Sequence, residues 1–217
     1  MEQILTLVAT STLETLLMVF FSTLFAVIIG FPLGVLLNTT NPYGISPRPG
    51  FNLILSRIID VLRSFPFVIL MIVLLPFTRL ILGTAIGTAA TIIPLSIAAA
   101  PFVARITETA LNEVDSGVVQ AARAMGSTNM QIIFKVLIPE AMPSVVSGLT
   151  LTVINLVSYS AMAGTLGGGG LGDLAIRYGY QRFRTEIMIA AVIVIIILVA
   201  FIQFAGTKIT NRMMSKR

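Results

Sequence analysis

Seven consecutive residues, Gln120-Ala121-Ala122-Arg123-Ala124-Met125-Gly126, and the Val136-Leu137-Ile138-Pro139 that follows nine residues later, have types and spacing that point to a task. The chemistry they suggest is recognition. Ala121 and Ala122 give a helix a low-relief face that can seat deeply in a groove on another protein. Gly126 suits a helix end, because glycine takes the left-handed cap conformation without a Cβ penalty. Thr128 precedes Gln131 by three residues, the capping-box spacing that starts a second helix. Ile138 precedes Pro139, and a pre-proline residue is pushed out of helical geometry. The segment therefore predicts two short helices, the first over 112–125, joined by a glycine bend. Taken singly, each small residue more readily packs inside its own chain; the full spaced pattern is what favours docking.

Covalent chemistry is poorly supplied. The chain has no Cys, His or Trp. Thiolate and imidazole metal sites, His-based triads and Cys nucleophiles are thereby excluded. A phosphate-binding loop needs Gly-x4-Gly-Lys-Ser/Thr. The one glycine cluster, residues 164–172, contains no Lys and runs into Asp173. No cofactor is expected in this chain, and any ATP and magnesium would be bound by a partner chain. The net charge of +5 does not gather into a basic stripe with aromatics, so no nucleic-acid partner is expected.

The elements that must position the 120–139 segment are apolar. The 217 residues are 56% hydrophobic and 11% charged, where a soluble domain carries roughly 25% charged. The solvent is lipid, and the fold class is all-α. A span needs about 20 apolar residues. Five transmembrane helices are expected, near 14–38, 58–79, 86–105, 142–164 and 186–207. An odd number of spans puts the termini on opposite sides. With the N-terminus outside, the inner segments and their flanks hold Arg48, Arg57, Arg63, Arg105, Arg123, Lys135, Lys208, Arg212, Lys216 and Arg217. The outer segments hold Arg79, Arg177, Arg182 and Arg184. That asymmetry favours the N-terminus outside and the C-terminus cytoplasmic. The 120–139 segment then lies on the cytoplasmic side. The first inner loop, 38–50, holds three prolines and two glycines and reads as irregular. Residues 1–8 carry Glu2 and no cation, so no cleaved signal peptide is read there.

The 120–139 pattern resembles the EAA loop of ABC-importer permeases: Glu-Ala-Ala, three residues, Gly, nine residues, Ile-x-Leu-Pro. Gln120, Val136 and Ile138 depart conservatively from it. Arg63-Ser-Phe-Pro-Phe67, Ala99-Ala-Pro-Phe102, Ala122-Arg-Ala-Met-Gly126, Tyr159-Ser-Ala-Met162, Gly167-x-Gly-Gly-Leu-Gly172 and Ile202-Gln-Phe-Ala-Gly206 extend the likeness to permease subunits of methionine ABC importers. The resemblance covers roughly residues 11–206 and implies a type I importer permease domain there, with 207–217 a basic cytoplasmic tail. It implies a homodimer with the path between two copies. It implies two ABC ATPase subunits docked through Gln120, Ala121, Ala122, Arg123, Met125, Gly126 and Pro139. It further implies a methionine-binding protein on the outer face, and a bacterial inner-membrane location with lipid all round. The expected cargo is methionine, L- and D-, moved without any enzymatic step by this chain. Another small amino acid is the nearest alternative cargo.

Several further residues carry expectations. Met162 is a candidate outer gate, since a flexible thioether can close a narrow apolar gap and move aside; ordinary core packing is the alternative. The glycine run reads either as a loop at the pore mouth or as a flexible outer turn. Asp60 with Arg63, and Arg105 with Glu108, sit three apart and can pair on one helical face. Glu14 is expected near headgroups. Gly83 and Gly87 could allow close helix approach. Pro32, Pro66, Pro94 and Pro101 fall in or beside spans and could kink them. An ion-coupled transporter or channel would need a chain of intramembrane ionisable sites, and none is apparent. An intramembrane enzyme would need Ser–Lys or paired carboxylates within the membrane, and every Lys lies in a loop or the tail.

Overall fold

Lipid cannot hydrogen-bond a bare backbone, so spanning segments become helices and satisfy themselves. The computed structural model describes residues 2–215 and contains no strand among them. Lys216 and Arg217, two of the tail cations, lie outside the described residues. The helices are α1 (Glu2–Thr40), α2 (Pro49–Ser64), α3 (Phe67–Leu82), α4 (Thr88–Asn112), α5 (Ser116–Ala124), α6 (Asn129–Ile132), α7 (Ile138–Gly164), α8 (Gly170–Asp173) and α9 (Thr185–Met214). π-helical turns at Ile133–Leu137 and Leu174–Tyr180 link α6 to α7 and extend α8. Four helical stretches, α1, α4, Asn129–Gly164 and α9, are each long and apolar enough to span; the α2–α3 pair makes a fifth if counted as one broken span.

Several outcomes differ from the sequence reading, three of them in the helices themselves. First, α1 begins at Glu2, far ahead of residue 14, and its 39 residues exceed what a bilayer core requires. Second, the expected span 58–79 is two helices bent by 103°. Pre-proline Phe65 is extended (φ −72°, ψ 128°) and breaks the backbone ladder before Pro66. Third, Gly83 and Gly87 are not on a helix face. Both have positive φ in the turn between α3 and α4, and a Cβ on either would meet nothing within 4 Å.

The close helix approach comes from a different glycine pair. Gly30 and Gly34 on α1 face α4 so tightly that a Cβ would strike the carbonyl oxygens of Ala100 and Ala104 respectively. Small residues let membrane helices meet backbone to backbone, where van der Waals contact supplies what hydrophobicity cannot. Ala99, Ala100, Val103 and Ala104 are buried along α4, and the largest core cluster brings Met18, Leu95, Leu156 and Val157 together from α1, α4 and α7. Phe67 stacks on Tyr159 with ring centroids 4.7 Å apart, which fixes α3 against α7.

The glycine cluster is packed tightly. A Cβ at Gly164 would hit the backbone of Asp173, and one at Gly172 would hit Ala161. Gly170, Leu171 and Gly172 are buried. Glu14, expected among headgroups, points inward instead. Its Oε2 accepts the Gly170 N–H at 2.7 Å, and Thr15 Oγ1 accepts the Leu171 N–H at 2.9 Å. The long α1 carries Glu14 well past the helix start, where these otherwise unpaired amides need acceptors.

Gly34→Leu is expected to lower stability by about 1–3 kcal/mol through overpacking against α4. A lower melting temperature of the purified chain in detergent checks this. An unchanged melt would show that α1 and α4 do not meet there.

Candidate docking site

The 112–139 segment folds as a linked unit at one end of the bundle. α4 continues to Asn112, so the first short helix is α5 alone and starts at Ser116. Asp115 caps it, its side chain accepting the Gly117 N–H at 2.7 Å. This cap was missed in the sequence reading, although an aspartate just before Ser-Gly-Val-Val is a recognisable helix start. α5 ends as expected at Gly126, with φ +81°. The Gly126 N–H reaches Arg123 O at 2.9 Å and the Ser127 N–H reaches Ala122 O at 3.1 Å. Those two bonds form a Schellman closure.

The capping box forms as the spacing predicts. Thr128 N–H donates to Gln131 Oε1 at 2.9 Å, and Gln131 N–H to Thr128 Oγ1 at 3.4 Å. The helix it starts does not stop before Pro139, however. Ile138 is right-handed helical (φ −63°, ψ −51°) and its N–H bonds to Ile133 O, five residues back. The wide turn at Ile133–Leu137 relieves the collision a proline ring would otherwise make with the turn before it. One continuous helical stretch, Asn129–Gly164, therefore joins this segment to the far end of the bundle.

The two alanines divide their tasks. Ala122 is 3% exposed and sits in a core cluster with Ala110, Leu111, Ile132, Leu137 and Ala141. It seats α5 on this chain. Ala121 and Gln120 face outward, as do Arg123 and Pro139. Apolar Met125 is 80% exposed, Met130 63% and Phe134 60%. A solvated loop has no reason to hold three large apolar side chains open, and such exposure marks an interaction surface.

Polar contacts lock the unit down. Asn38 of α1 donates to Asn112 at 2.7 Å, and Asn129 donates to Ser46 of the first loop at 3.1 Å. A cleft of about 270 Å³ between that loop and α5 is lined by Tyr43, Ser116, Gln120 and Arg123 among others. Arg105 pairs with Glu108 at 2.6 Å as its spacing predicts, and also reaches Asp60 of α2 at 2.8 Å. Arg63 lies 4.0 Å from Asp60 and stacks on Phe102 at 5.1 Å. Asp60 thus leans chiefly on Arg105 across the helices, a link that spacing within one helix could not reveal. Among the described residues, no group of three or more His, Cys, Asp or Glu is placed to hold a metal. At the opposite end, Met162 lies in the last turn of α7 and is 44% exposed.

Comparison with known proteins agrees with this geometry. Residues 30–215 match the family described as binding-protein-dependent transport system inner membrane component. The chain is 49% identical over 206 residues to a probable D-methionine transport system permease protein of Vibrio cholerae, covering 95% of this chain and 92% of that one. It is 47% identical over 160 residues to the methionine import system permease protein of Bacillus subtilis, covering 74% and 72%. Its fold superimposes on a chain of the MetNI methionine ABC transporter in an inward-facing form, with TM-score 0.96, 45% identity, and coverage of 98% and 99%. A chain of an amino acid ABC transporter crystallised with histidines shares the fold at TM-score 0.80 and 21% identity.

Thr128→Ala removes the cap of α6 and is expected to cost about 1 kcal/mol locally. Amide exchange over residues 129–133 should quicken several-fold in the variant. Unchanged exchange would show that the box does not hold the turn.

Proposed function

The chain belongs to the family of binding-protein-dependent transport system inner membrane components, and on that premise we propose that it is the membrane-spanning subunit of an ATP-driven methionine importer. The observation that carries the cargo is the near full-length likeness to a D-methionine permease and to a chain of a methionine ABC transporter, with a further methionine permease matched over three quarters of the chain. Its task is mechanical. ATP and magnesium are bound by a separate ATPase.

Two copies of the chain flank the path, and an ATPase docks on each through the outward face of α5, with Gln120, Ala121, Arg123 and Met125 in contact. Gly126 supports that face by closing α5. Pro139, held within the unbroken helical stretch, passes the motion on. A push on α5 and α6 cannot be absorbed locally, because the Schellman closure, the capping box and the π turn leave no slack segment. It travels instead along Asn129–Gly164, a rod of roughly 50 Å at 1.5 Å per residue. The far end of that rod carries Met162, the outer gate in this reading. The charge asymmetry supports an N-terminus outside and α5 in the cytoplasm. A binding protein would deliver L- or D-methionine to the face bearing the glycine cluster.

Uptake of radiolabelled L-methionine into proteoliposomes holding this chain, its ATPase and its binding protein tests the proposal. Uptake should require ATP and vanish in Gly126→Arg, whose bulky residue cannot easily take φ +81° and would foul the docking face. ATP turnover without methionine flux would overturn methionine as cargo. Flux without the ATPase, unaffected by Gly126→Arg, would overturn the importer reading itself.

A further inference from the structure

The helices meet their surroundings through faces of two kinds. The open faces of α1 and α9 are apolar: Leu17, Phe21 and Ile28 on the first, Ile193, Ile197 and Phe201 on the second. These suit lipid. The open face of α7 does not. Ser144, Ser147, Leu151, Asn155, Ser158 and Met162 recur every three or four residues and are all exposed. That spacing is one stripe along a helix.

The buried threonine and serine hydroxyls of α7 are already satisfied. Thr150 donates to Val146 O, Thr152 to Gly148 O and Ser160 to Val157 O. The stripe residues differ, for the side chains of Ser144, Ser147, Asn155 and Ser158 make no hydrogen bond among the described residues. On α9 the exposed Gln203 is turned onto its own Thr207 at 3.1 Å. An amide left bare in hydrocarbon costs about 2–7 kcal/mol. Asn155 sits nine residues before Gly164, about 14 Å from that end of the helix, which is about half the thickness of a ~30 Å hydrocarbon core.

We propose that Asn155, with Ser158 one turn above it, is a mid-membrane contact for the zwitterionic head of an amino-acid cargo. An amide is suited to that task. Its NH2 donates to a carboxylate and its carbonyl accepts from an ammonium, and it adds no net charge to the path. Leu151 lies one turn below and Met162 about two turns above, so apolar surface for a thioether side chain is within reach on the same face. The stripe leads from the α5 end to the candidate gate, as the wall of a path must. This assignment rests on the importer reading above and adds to it the residues that handle cargo within the membrane.

The test is the number of methionine molecules imported per ATP hydrolysed by the complete reconstituted complex. Asn155→Leu should lower that ratio about tenfold, the worth of one hydrogen bond to a charged group, while ATP hydrolysis stays within about twofold of wild type. Asn155→Gln, which keeps the amide, should recover much of the ratio. An unchanged ratio in Asn155→Leu would overturn the proposal, whether or not both rates fall together. So would a complex that separates into single permease protomers, which would show that the amide pairs with its own copy. A wild-type complex that hydrolyses ATP yet carries no methionine fails before any substitution, and overturns the cargo reading on which the proposal stands.

Discussion

The seam between α1 and α4 is the contact on which the rest of the structure depends. Inside lipid no hydrophobic effect draws two apolar helices together, and close packing of small residues must do it. Gly30 and Gly34 bring α1 onto the carbonyls of Ala100 and Ala104. α7 then packs over the same core through Leu156 and Val157. The seam also sets both ends of the molecule. Near one end Asn38 holds Asn112, where the candidate docking segment begins. Towards the other, Glu14 and Thr15 supply acceptors for the amides of Gly170 and Leu171.

A permease that does no chemistry must convert motion at one end into opening at the other. What matters is therefore stiffness. The α5 unit is short, and a nine-residue helix is marginal in isolation. Here a cap, a Schellman closure, a capping box and the buried Ala122 compensate for that shortness. The π turn keeps the chain helical past Pro139, so one continuous helical stretch joins α6 to α7. The ionic link of α2 to α4 through Asp60 and Arg105 braces the same region from the side.

Much of this was legible in the sequence because it follows local rules. Hydropathy located four of the spans, three-residue spacing predicted the capping box, and the spaced alanines and glycine marked where α5 folds and ends. What stayed hidden depends on partners distant in the chain. Spacing cannot say which of two adjacent alanines faces in, and Ala122 was decided by Leu111 and Leu137. Glu14 looked like a headgroup residue until Gly170, 156 positions away, came beside it. Gly83 and Gly87 drew attention as a small-residue pair, yet Gly30 and Gly34 carry the same spacing and do the work. The first pair falls in a turn at positive φ, whereas the second lies on a helix against facing carbonyls. Pro139 looked like a helix break because a pre-proline residue is disfavoured in αR, yet Ile138 stays helical and the turn before the ring is opened to a π turn.

The central claim is that the outward face of α5 is covered by an ATPase while its inward face holds the chain together. The chain has no cysteine, so single cysteines report without background. The decisive measurement is maleimide labelling of Ala121→Cys and Ala122→Cys in the permease alone and in its complex with the ATPase. Ala121→Cys should label readily in the free permease and become protected in the complex, while Ala122→Cys stays unreactive in both. Free labelling of Ala121→Cys in a complex that still couples ATP to uptake would contradict the account.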